Sequence, residues 1–260
     1  MNRLVTTEKR RRLLEEWTRE GGLSGNALKR IACFFMFFDH LSQGVALDSI
    51  GFHCANLFDL SAQPTAGVLA GIAVLFGRIA FPIFCFFLVQ GMLLTRDYKK
   101  QILRLVLFAL ISEIPFDLGL SGQMIYADHQ NVMFTLALGA AVVACAETIE
   151  GKMERKAPRY LAMFAVALSA GAFAEVLNFD YGMSGIVAIF LFYLAAMSRR
   201  ESLIMDAIAF IFEAPLYGTV YLSIPLINAY NGKRGRGNRY GFYLFYPGHL
   251  LLLYLLSIYI

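Results

Sequence analysis

Apolar residues run in windows separated by short polar or basic stretches, and about 20 such residues span a hydrocarbon core as one helix. The windows predict helices at roughly 27–47, 66–94, 101–120, 131–149, 159–177, 182–198 and 241–260. Ser24-Gly25-Asn26 can cap the first of them, and Gly51, Pro64 and Gly67 mark an outer loop after it. Between 201 and 230 the run is broken by Glu213-Ala214-Pro215, and proline disrupts a helix interior. Two short helices, about 202–213 and 215–229, are expected there; one crossing that leaves the following basic loop outside is the alternative. The predicted fold is all-α, a polytopic transmembrane helical bundle of about nine crossings, with the N-terminus cytoplasmic and the C-terminus outside. A basic segment, 1–22, precedes the transmembrane domain, 23–260, and the chain shows no internal repeat.

Composition rules out an ordinary soluble domain. Hydrophobic residues make up 58% of the chain and charged residues 16%, with a mean hydropathy of +0.58, whereas a soluble domain is about 25% charged. The partner this composition demands is the lipid bilayer, and no nucleic acid is expected. The net charge of +4 matters less than its distribution. All 23 Lys and Arg except Arg78 fall in clusters at 3–30, 96–104, 152–159, 199–200 and 233–239. Positive charge is retained on the cytoplasmic side during insertion, so all five clusters are expected there. The first 23 residues are too charged for a cleavable signal. Leu13, Leu14 and Trp17 suit a helix lying on the inner leaflet, and a disordered basic tail is the other reading. Cys33, Cys85 and Cys145 lie in apolar segments and Cys54 in a loop, so neither a disulfide framework nor a metal site is expected.

Ionisable residues inside the apolar windows are the chemical signal. Each costs roughly 2.5–3.5 kcal/mol on insertion scales, and such residues usually face the bundle interior and serve function. They are Asp39, His40, Arg78, Glu113, Asp117, Glu213 and His249. His40 stands out, because an imidazole titrates near neutral pH and Cys33-Phe-Phe-Met-Phe-Phe surrounds it with water-excluding aromatics. Asp39 is its sequence neighbour, and neighbours on a helix do not share a face. Lys29 lies eleven residues earlier, about 16 Å down the helix axis, at the cytoplasmic surface. Glu113 and Asp117 share one helix face if Pro115 does not kink it, and Arg78 could pair with either. Gln130 and Asn131 add polar groups at the outer end, and Asp180-Tyr181-Gly182 suits a turn. The Tyr230–Gly237 loop joins glycines to Lys233, Arg234 and Arg236, which suits phosphate binding as well as topology.

Taken together these stretches resemble the TraX family of membrane acetyltransferases, whose founding member is the conjugative-pilin acetylase. The resemblance rests on Leu23–Lys29 leading into Asp39-His40, Arg78–Phe84 with Gln90-Gly91, and Ser112–Asp117. It continues through Gln130–Thr135, Asp180–Gly182, Tyr230–Gly235 and Phe245–His249, in order over 23–260. The family is similar to a wider membrane acyltransferase group with a basic residue, ten others and a histidine in the first helix, a spacing that Lys29 and His40 match. The resemblance implies acetyl transfer in a bacterial cytoplasmic (inner) membrane, from cytosolic acetyl-CoA to an amine or hydroxyl of an acceptor: a pilin-like protein, a glycan or a lipid. It implies His40 as the catalytic residue. The expected supporting set is Asp39, Arg78 and a Glu113 or Asp117 carboxylate around His40. Lys29, Arg30, Asn231, Lys233, Arg234 and Arg236 are expected on the CoA phosphates, and Gln130, Asn131 and His249 near the acceptor. The rival reading is a proton-coupled secondary transporter with Asp39, His40 and Glu113 as its relay.

Overall fold

Helix boundaries follow local capping chemistry. The computed structural model describes residues 4–43, 75–211, 218–237 and 239–259. Its helices are α1 (Thr7–Trp17), α2 (Gly25–Gln43), α3 (Ala80–Leu94), α4 (Tyr98–Ser121), α5 (Val132–Lys152), α6 (Lys156–Val176), α7 (Gly182–Ala195), α8 (Arg199–Ala209), α9 (Ser223–Asn228) and α10 (Arg239–Tyr259). Side chains of Thr6, Asp97, Asn131 and Ser198 accept hydrogen bonds from the first turns of α1, α4, α5 and α8, satisfying donors that a helix leaves open. Gly122, at φ 71°, closes α4 in the left-handed conformation. Pro115 does not end α4, which runs through it to Ser121. Among the described residues there are no strands, only isolated bridges at Leu23–Tyr230 and Gln130–Phe179.

Among the described residues, four helices are long and apolar enough to cross a membrane: Leu75–Leu94, Val132–Lys152, Lys156–Val176 and Tyr240–Tyr259. The first two are mostly buried inside the protein and the last two mostly are not. α3 and α5 therefore form the centre, while α4, α6 and α10 present Leu110, Leu161, Leu168, Leu252 and Leu255 outward. An outward apolar face is what lipid contact requires. Small residues bring helices together: Gly119 of α4 faces the backbone of Leu250 in α10, and Gly171 of α6 faces Met183 of α7.

The basic segments gather at one end of the bundle. Lys9 of α1 pairs with Glu147 and Glu150 of α5, both at 2.7 Å. The Trp17 indole donates to the Ala196 carbonyl at 3.0 Å. The Arg199 guanidinium donates to the carbonyls of Trp17, Asn228 and Tyr230. Residues 229–235 bond to 19–26 by backbone, including Leu23 N–H to Ala229 O at 2.7 Å and Gly25 N–H to Lys233 O at 2.8 Å.

Two expectations change here. α1 is not a disordered tail: it is a helix whose Leu13 and Trp17 are buried in the bundle, and only Leu14 of the three is exposed. Docking lets the Trp17 N–H and the open carbonyl of Ala196 satisfy each other while the ring packs on Phe86 and Tyr230. The stretch 199–230 starts and ends at the same basic end, since Arg199 touches Asn228 and Tyr230. One crossing would separate those contacts. α8 has 11 residues, a rise of about 16 Å. Glu213-Ala214-Pro215, the break expected between its two halves, lies outside the described residues, as do Cys54 and the outer loop holding Gly51, Pro64 and Gly67.

Candidate active site

Two helices enter from the basic end and meet at a histidine pair. α2 starts at Gly25 and α10 at Arg239, so His40 and His249 sit roughly 22 and 15 Å along their axes. His40 Nδ1 lies 2.7 Å from His249 Nε2, and His249 Nδ1 lies 2.8 Å from the Phe245 carbonyl oxygen. Both histidines are buried. Phe245 stacks on His249 at 4.7 Å, with Phe37 and Tyr246 completing an aromatic collar.

Two open volumes lie close to the pair, one lined by its aromatic collar and one by His40 itself. Towards the basic end, a groove of about 660 Å³ runs between α2 and α10, lined by Arg30 and Arg236 at its mouth and by Phe37 and Phe245 beside His249. A cavity of about 210 Å³ is lined by Asp39, His40, Arg78, Phe81 and Tyr181. Arg78, His129, Asp180 and Tyr181 also border a wider outer recess of about 1090 Å³ that includes Asp128 and Glu175. The Arg78 guanidinium donates to the Tyr181 hydroxyl at 3.4 Å and lies 5.8 Å from its ring centroid, and Phe81 stacks on the same ring. The Tyr181 ring and hydroxyl thus hold the Arg78 cation beside His40 in this cavity.

Asp39 is set by a close helix crossing. A Cβ placed on buried Gly77 would overlap the Asp39 Cβ and carboxyl group. Gly77→Ala is therefore expected to push α2 from its neighbour and destabilise the protein by about 1–3 kcal/mol, the cost of overpacking. Thermal unfolding of detergent-purified protein checks this; an unchanged midpoint would contradict the crossing.

At the basic end the Lys29 ammonium lies over the rings of Phe87 and Phe242, at 5.0 and 5.8 Å. Arg30 donates to the Arg236 carbonyl at 3.3 Å, and the side chains of Lys233, Arg234 and Arg236 are exposed beside it. Asn231 folds its own loop, its side-chain oxygen accepting from Lys233 N–H at 3.0 Å. The loop glycines make close approaches to the segment before α2. Gly232, at φ +74°, approaches the Trp17 carbonyl, and Gly235, at φ +75°, rests on Ser24. The first N–H groups of α2 are already bonded to Lys233 and Arg234 carbonyls. The donors left exposed at this end include the side chains of Arg30, Lys233, Arg234 and Arg236.

Glu113 and Asp117 do share a face of α4, and both are occupied at the outer end. Glu113 accepts from the Asn131 backbone and side-chain amides, and Asp117 accepts from Tyr126 N–H at 2.9 Å. The group found against His40 Nδ1 is His249, not either carboxylate. Asn131 is fully buried, capping α5 and donating to the Ala109 carbonyl at 2.9 Å. Gln130 pairs by backbone with Asn178 and Asp180. These residues clasp α4, α5 and the 177–181 turn. His129, exposed in the same clasp, lies 3.6 Å from Asp180, whose carboxylate raises its pKa above the ordinary 6.5. A raised pKa adds stability that is complete below the unfolded value and fades as pH climbs through the folded one. The thermal midpoint should therefore decline as pH rises above neutrality, and His129→Asn should remove that decline.

A bundle with several apolar spans, a buried histidine pair and a cavity lined by Asp39, His40 and Arg78 is a polytopic membrane protein with an internal polar site. The chain belongs to the TraX family: the family model described as TraX protein matches residues 24–257. It is also similar to the probable fimbrial assembly protein FimC, serogroup H1, of Dichelobacter nodosus. The two are 27% identical over 203 residues, which cover 68% of this chain and 79% of that one. No solved structure matches it. α1 precedes the matched region. The sequence expectation puts His249 near the acceptor; the structure sets it against His40, with Tyr246 beside the pair and Tyr181 lining the inner cavity.

Proposed function

We propose that this chain is an acetyltransferase of the cytoplasmic membrane that moves acetyl from cytosolic acetyl-CoA to an amine or hydroxyl of a pilin-like protein, a glycan or a lipid. The basic end faces the cytoplasm in this reading. The nine passes comprise α2 to α7, α10 and a short pair, α8 with residues 218–228, and the C-terminus is outside. The carrying observation is the groove that leads from Arg30 and Arg236 to the aromatic collar of His249, with His40 behind it.

Lys29, Arg30, Lys233, Arg234 and Arg236 hold the CoA phosphates, and the pantetheine arm lies in the apolar groove. The acceptor comes from the outer recess. His40 removes the proton from the acceptor hydroxyl or amine as that atom attacks the thioester carbonyl. Arg78 stabilises the developing oxyanion. When the carbon–sulfur bond breaks, the CoA thiolate takes the proton back from His40, so no proton is left over.

Titration with CoA is expected to raise the melting temperature saturably and less at high salt, because phosphate contacts are screened. A double Arg30→Gln, Arg236→Gln variant should bind about tenfold more weakly or worse, as expected for lost charged hydrogen bonds. CoA that leaves the melting temperature unmoved at saturating concentration would contradict the reading.

A further inference from the structure

We propose that His249 is a positioning residue that locks His40 in the tautomer bearing its hydrogen on Nδ1, leaving Nε2 as the base. For what the base acts on, this rests on the acetyl-transfer reading; the tautomer itself follows from the geometry. A carbonyl oxygen can only accept, so His249 Nδ1, at 2.8 Å from Phe245 O, carries a hydrogen. In a neutral imidazole the other nitrogen is then a bare acceptor. That nitrogen, Nε2, lies 2.7 Å from His40 Nδ1, so His40 Nδ1 donates to it. The lone pair remains on His40 Nε2.

Burial strengthens the relay. The two rings are tilted by only 17° with centroids 5.0 Å apart, so their edges meet in one plane. Both residues are buried, and Phe245, Tyr246 and Phe37 surround His249. When His40 Nε2 takes the acceptor's proton, His40 becomes an imidazolium whose Nδ1–H still points at a lone pair. No proton has to move along the pair. A carboxylate does this in a Ser-His-Asp triad, but a buried carboxylate in a bilayer carries the insertion cost of a charge. A second imidazole gives the same orientation without charge.

The test is nitrogen NMR on the full chain, labelled with [15N]histidine and held in lipid nanodiscs. The sequence has four histidines, His40, His53, His129 and His249, so single substitutions assign the signals. Both His40 and His249 are expected to carry hydrogen on Nδ1. In His249→Leu, His40 should shift to the Nε2–H form that free imidazole side chains favour, and acetyl transfer should drop by about 100-fold, the low end for a general base. His249→Gln keeps an acceptor oxygen for His40 Nδ1 and should restore the tautomer and most of the rate. Hydrogen on Nε2 of His40 in the unaltered protein would overturn the proposal, whatever the variants do. So would an unchanged His40 tautomer in His249→Leu. Absence of CoA binding would instead defeat the transfer reading and leave the nitrogen signals as they are.

Discussion

Acetyl transfer is expected to fall by about 10²–10⁴-fold when His40 becomes glutamine, the span that a positioned general base contributes. Glutamine keeps a donor for His249 Nε2, so the buried pair remains satisfied and the fold stays intact. CoA binding should persist too, since Arg30 and Arg236 stand at the far end of the groove. The measurement is label transferred from [14C]acetyl-CoA to acceptors in membranes carrying the variant, beside the CoA-induced shift in melting temperature of the purified protein. Lost transfer with retained binding marks a chemical role. Equal turnover in variant and parent would remove His40 from the reaction.

Trp17→Ala should lower the unfolding free energy by about 3–5 kcal/mol, the usual cost of deleting a buried tryptophan. Trp17 packs on Phe86 and Tyr230, lies 4.5 Å from the Arg199 guanidinium, and ties α1 to Ala196. Its carbonyl also takes a bond from Arg199 and is approached closely by Gly232. Loosening this corner should therefore weaken CoA binding as well as stability, because Gly232 begins the loop that carries Lys233, Arg234 and Arg236. Trp17→Phe keeps the packing and loses one hydrogen bond, about 1 kcal/mol. Denaturant unfolding of both variants separates these contributions. A Trp17→Ala protein as stable as its parent would show that α1 is not part of the folded unit.

Much of this architecture is legible in the chain because membrane insertion imposes simple rules. The apolar windows locate α4 to α7 within a few residues, and the five basic clusters do lie at one end. What escapes is anything decided by contact between distant segments. Leu13 and Trp17 form the same apolar stripe on a leaflet helix as on one docked against α7. His40 and His249 stand 209 residues apart, and no local pattern tells a histidine that binds an acceptor from one that orients another histidine. Glu113 and Asp117 look like catalytic carboxylates from spacing alone; Asn131 and Tyr126, which engage them, become their neighbours only when α4 and α5 pack. Gly232 and Gly235 resemble an anion loop for the same reason: left-handed glycines serve phosphate cradles and close backbone crossings alike.

The structure of the full chain with CoA bound, by cryo-electron microscopy in nanodiscs, examines the donor path most directly. The account predicts the nucleotide phosphates among Arg30, Arg236 and their neighbours, the pantetheine arm between Phe37 and Phe245, and the thiol at the His40–His249 pair. CoA lodged in the outer recess beside Asp180, or held at the basic end with its arm turned away from the histidines, would contradict it.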